Sequence, residues 1–130
     1  MTMRFWTYCG LAAFAAGSAG SAFAQETGLS DIHDQRRESN RICMVDHFHS
    51  GASSGRPTRK NAEVAAIANW ADFTVLEYGP PWGRYTLAGS KTMTCVQESG
   101  SWGCSVEARP CKLAGSRQAT GRKKAAEGKK

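Results

Sequence analysis

From Thr58 to Gly79 the apolar residues Val64, Ile67, Ala68, Ala71, Val75 and Tyr78 recur at i, i+3, i+4 spacing. At 100° per residue they share an arc of roughly 100°, which predicts an amphipathic helix with that stripe toward a core. Thr58 stands where an N-cap belongs, and Gly79 followed by Pro80 and Pro81 ends the pattern. Asn61, Glu63, Asn69, Asp72 and Glu77 lie off the stripe, as a solvated face should. Trp70, Phe73 and Leu76 lie off it too, so the helix either meets a second surface there or exposes an apolar patch.

Elsewhere the period is two. Residues 42–49, ICMVDHFH, read as a strand, and the following SGASSGRP reads as a Gly/Ser loop stopped by proline. With Ser99-Gly100 as a two-residue turn, a hairpin sets Glu98 opposite Ser101, Gln97 opposite Trp102, Val96 opposite Gly103, Cys95 opposite Cys104, Met93 opposite Val106 and Lys91 opposite Ala108. One face then collects Tyr85, Leu87, Met93, Cys95, Trp102, Cys104, Val106 and Ala108. The other collects Thr86, Ser90, Thr92, Thr94, Ser105 and Glu107. A slip of one residue would scramble that separation. Ala88-Gly89-Ser90 reads as a loop that would make the region a three-stranded meander. The expected fold is α+β: one amphipathic helix packed on a small antiparallel sheet, over residues 42–112.

Residues 1–24 have the form of a secretory leader: Arg4, an apolar run from Phe5 to Gly17, and the small-x-small pattern Ala22-Phe23-Ala24. The apolar run is shorter than the roughly 20 residues that a membrane span requires. Removing the leader takes Cys9 with it and leaves Cys43, Cys95, Cys104 and Cys111. An even set in an oxidising compartment implies two disulfides. The hairpin register brings Cys95 and Cys104 together at a non-hydrogen-bonded pair, where Cα atoms approach to about 4.5 Å. Cys43–Cys111 follows by elimination, while 43–95 with 104–111 and 43–104 with 95–111 remain open. Together these features predict an exported protein, periplasmic or secreted.

Charge changes the picture less than its total suggests. The chain of 130 residues carries a formal +6. Residues 25–112 hold ten basic and ten acidic side chains and sum to zero. Residues 113–130 hold Arg117, Arg122, Lys123, Lys124, Lys129 and Lys130 against Glu127 alone. With no aromatic side chain for base stacking, that stretch reads as a basic disordered tail suited to anionic envelope surfaces such as lipopolysaccharide or lipid. A nucleic-acid-binding fold is disfavoured, because the domain itself is neutral. Residues 25–41, of alternating charge, read as a mobile lead-in.

Two motifs invite chemistry. Gly51-Ala52-Ser53-Ser54-Gly55 matches a nucleophile-elbow pattern, but no histidine follows His49 to serve Ser53 as base, and the chain is too short for a hydrolase sheet. His47 and His49, two apart on a strand, would project to one face and can supply two nitrogens to zinc or copper. His33, Asp31 or Asp34 would supply a third ligand; otherwise the two histidines simply flank a buried Phe48. Arg84, beside Trp82 and Tyr85, is placed for a cation–π contact.

The run of Trp70, Phe73, Thr74, Glu77, Tyr78, Gly79 and Trp82, followed by Cys95-x(6)-Trp102-x-Cys104 and the stretch through Cys111, resembles small exported proteins of alphaproteobacterial, rhizobial type. The resemblance spans about residues 42–112 and implies an exported disulfide-bearing domain, with no catalytic residue. The sequence thus supports a non-enzymatic binding module with a basic tail, or else a metal-binding protein built on His47 and His49.

Overall fold

The computed structural model describes residues 25–115. Residues 1–24, with the form of a leader, and the basic residues Arg117, Arg122, Lys123, Lys124, Lys129 and Lys130 lie outside the described residues. Strands β1 (Gln35–Glu38), β2 (Arg41–Met44) and β3 (His49–Arg56) precede helix α1 (Arg59–Tyr78), and β4 (Gly89–Glu98), β5 (Ser101–Arg109) and β6 (Cys111–Leu113) follow it. They form two antiparallel three-stranded sheets, in the orders β1-β2-β6 and β3-β5-β4. The α+β class is as expected. No helix among the described residues is long and apolar enough to cross a membrane.

The hairpin register is the one the alternation predicts: Cys95 faces Cys104, Met93 faces Val106, and Glu98 faces Ser101. Its apolar face packs on the helix, with Cys104, Val106 and Ala108 buried and Tyr85, Met93, Cys95 and Trp102 against them. The predicted Lys91–Ala108 pair gives way to a bulge between Gly89 and Thr92, where Ser90 takes φ 48°. Both disulfides are formed, Cys95–Cys104 across the hairpin and Cys43–Cys111 between β2 and β6.

Three expectations about the strands are corrected. The strand expected over 42–49 ends at Met44. The Gly/Ser segment is itself β3, because β5 offers it a ladder and α1 covers it. β3, rather than a segment before Gly89, is therefore the third strand of the hairpin sheet. A Cβ at Gly51 would collide with Ala66 O and Trp70 N of the helix backbone, so small residues here are what close packing demands. The lead-in holds a 3₁₀ turn (Leu29–Ile32) and the edge strand β1, whose Glu38 pairs with the buried Arg109 at 2.9 Å.

The helix begins at Thr58 as predicted, with the Thr58 hydroxyl accepting from Asn61 N at 3.1 Å. Its buried face is Ala62, Ala66, Trp70, Thr74 and Tyr78, turned roughly 110° from the aliphatic stripe. Val64 and Val75 are exposed, as are Phe73 at 48% and Leu76 at 77%, while Trp70 is fully buried. Small Ala62 and Ala66 let the helix backbone approach β3, and Trp70 fills the space beyond, its indole donating to Ala108 O at 3.3 Å. Lys91 and Lys112, rather than Arg84, lie over the Tyr85 and Trp82 rings.

Candidate metal centre

Strand β3 runs out over eight residues and α1 returns over twenty. These spans are about 26 Å and 30 Å, so the first residue of β3 meets the last turn of the helix. His49 therefore stands beside Thr74, Glu77 and Tyr78. The link from β2 to β3 carries His47 to the same place, and the Leu29–Ile32 turn delivers His33. Asp34 O accepts from Val45 N at 2.9 Å, fastening the N-terminal segment against that link.

All three histidines of the chain thus converge. His49 Nε2 is 3.1 Å from His47 Nε2 and 3.0 Å from Glu77 Oε2. The Tyr78 hydroxyl is 2.8 Å from His47 Nε2 and 3.0 Å from His33 Nε2. The His33 and His47 rings stack at 4.0 Å, and His49 lies against Tyr78 at 5.0 Å and Phe73 at 4.7 Å. Ligand atoms of His33, His47 and Glu77 lie within 4.8 Å of one another. His49 forms the buried wall at 3% exposure. His33 and His47 open onto a cleft shared with Ile32, Asp34 and Asp46.

Burial is the main cause that holds the pKa of His49 below its ordinary value, against the pull of Glu77. Burial also lowers that of His47, reinforced by His33 and opposed by Glu77. Burial, with Glu77 adding to it, pushes the Tyr78 phenol far above its ordinary range, so it remains a hydroxyl. The site is thus rich in imidazole lone pairs and carries one carboxylate. Such a set binds a divalent cation more naturally than an anion.

His47 and His49 do share one site, although His47 precedes the strand and Phe48 is 43% exposed rather than buried between them. Of the third ligands anticipated, His33 joins the group, Asp34 only lines the cleft, and Asp31 does not belong to the group. Glu77, which the helical period puts on the solvated face, stands instead beside His49. Its role follows only once 50–56 is a strand, because that antiparallel return is what sets the helix end beside His49. Ser53 is committed elsewhere: its hydroxyl donates to Ala62 O at 2.6 Å and accepts from Cys104 N at 3.2 Å. No family model, curated protein or solved structure matches the chain.

Proposed function

We propose that the protein binds one divalent transition-metal ion of the zinc or copper type through His33, His47, His49 and Glu77. The supporting observation is the grouping of His33, His47 and Glu77 within 4.8 Å of one another, with His49 Nε2, outside that group, 3.0 Å from the same carboxylate. Imidazole and carboxylate donors suit zinc and copper. The 3.0 and 3.1 Å separations around His49 Nε2 are close to the edge of about 3.3 Å that a tetrahedral shell has at ligand distances of 2.0–2.1 Å. The leader-like segment, the two disulfides and the resemblance to exported rhizobial proteins support action outside the cytoplasm, where such bridges persist. Metal analysis of the purified full chain after loading with zinc or copper is expected to give one equivalent, lost in the His47→Ala/His49→Ala double variant. No stoichiometric metal in the wild type would overturn the reading.

A second property is favoured by charge segregation. Residues 25–112 are neutral while the tail after Lys112 sums to +5. On this reading the tail holds the metal-binding domain near anionic surfaces such as lipopolysaccharide or lipid. Truncation after Gly115, which spares β6, should abolish salt-dependent binding to anionic vesicles and leave metal content unchanged. Retained vesicle binding would refute the tether.

A further inference from the structure

Thr74 is fully buried in the last turns of α1, an uncommon place for a hydroxyl. Its Oγ1 lies 2.7 Å from Trp70 O and 2.9 Å from His49 Nδ1. A carbonyl has no proton to give, so the contact with Trp70 takes the single hydroxyl proton. The Thr74 oxygen is then an acceptor toward His49, and the 2.9 Å contact requires a proton on Nδ1. A neutral imidazole has only one N–H. Nε2 therefore carries the lone pair.

That nitrogen faces Glu77 Oε2 at 3.0 Å and His47 Nε2 at 3.1 Å. An imidazole lone pair and a carboxylate oxygen repel at this distance unless positive charge stands between them. We propose that Thr74 is a positioning residue of the metal centre: it fixes His49 as the Nδ1–H tautomer and so turns the Nε2 lone pair toward Glu77 and His47, where the ion binds. The chain of contacts runs Trp70 O, Thr74 hydroxyl, His49 imidazole, ion. Metal-bound imidazoles ordinarily donate their second N–H to a carboxylate, backbone carbonyl or water, and losing that partner costs about 10–100-fold in affinity; here the Thr74 hydroxyl takes that place.

This inference rests on the metal-binding reading, and the test separates the two. Long-range ¹H–¹⁵N spectra of the metal-free full chain, at about pH 8.5 where free imidazole is neutral, report the His49 tautomer directly. Wild type and Thr74→Ser are expected to show Nδ1–H. The isosteric Thr74→Val is expected to lose that preference. Zinc titrations should show Thr74→Val weakened by about 10–100-fold and Thr74→Ser within about threefold of wild type. An Nε2–H tautomer in wild type overturns the proposal even if the valine variant fails to fold. Zinc binding by wild type that Thr74→Val leaves unchanged overturns the positioning role alone, whereas a wild type that takes up no zinc overturns the metal reading and this inference with it.

Discussion

At the scale of single residues, two positions shape the candidate site for different physical reasons. Gly51 lets the helix lie against β3, because a Cβ there would overlap the Ala66 carbonyl and the Trp70 amide. Those are backbone atoms and cannot swing aside, so Gly51→Ala should cost about 2 kcal/mol or more. A urea unfolding midpoint equal to that of wild type would contradict this seating. His49 acts through its neutral form. Burial lowers the pKa of His49 and of His47, with Glu77 opposing in both, His33 assisting in both and His47 assisting for His49. Above pH 6.5, the ordinary value for both, the two rings are neutral in folded and unfolded chains alike. Below it the unfolded chain takes up protons first, so stability falls as pH drops from 6.5 toward the lowered folded values. Thermal melts of the metal-free protein between about pH 7.5 and 5 should show that slope, and His47→Ala/His49→Ala should flatten it. A slope that survives the double substitution would place its origin elsewhere.

At the scale of elements, the helix divides its bulky side chains unequally. Trp70→Ala empties the core and should cost about 3–5 kcal/mol. Leu76→Ala, on the exposed face, should stay within about 0.5 kcal/mol. Equal losses in chemical denaturation would mean that the buried face is misassigned. The same contrast explains what could be read from the sequence. The hairpin was legible because alternation, turn and cysteines all demand one register. The helix was legible in extent, from Thr58 and Gly79, but not in orientation: alanines and a threonine carry little hydrophobic signal, while the aliphatic residues that do carry it remain outside. β3 was illegible because Gly is depleted in strands and Gly/Ser clusters read as loops, and its strand character comes from the ladder with β5. β1, with the sequence QRRE, is a charged edge strand. Of the candidate site, the proximity of His47, His49 and His33 was accessible from sequence. Glu77 and Thr74 were not, because both depend on β3 and α1 forming a single out-and-back unit.

For the whole molecule, the question is what joins the two sheets. Arg109 at the end of β5 donates to Met44 O of β2 and pairs with Glu38 of β1. The Arg36 hydrogen bond, reinforced by Arg109, holds the Glu38 carboxyl below its ordinary pKa against the effect of burial. Arg41 of β2 donates to Leu87 O at 2.6 Å, ahead of β4. Cys43–Cys111 closes 68 residues of chain, a loop that contains His47, His49 and Glu77 but not His33. Replacing both of those cysteines by alanine should cost roughly 4 kcal/mol, against about 2.5–3 for the Cys95–Cys104 pair. Denaturant midpoints that reverse this order would refute the loop-entropy account. The candidate site lies where the N-terminal segment, the link between the sheets and the helix end meet, so an ion there would fasten three segments that no disulfide among the described residues joins directly. The account is tested most directly by calorimetric titration of the metal-free full chain with zinc, beside His33→Ala, His47→Ala/His49→Ala and Glu77→Gln. It predicts saturable binding of one ion, weakened in every variant and abolished in the double histidine variant; no saturable binding, or binding indifferent to His47 and His49, would contradict it.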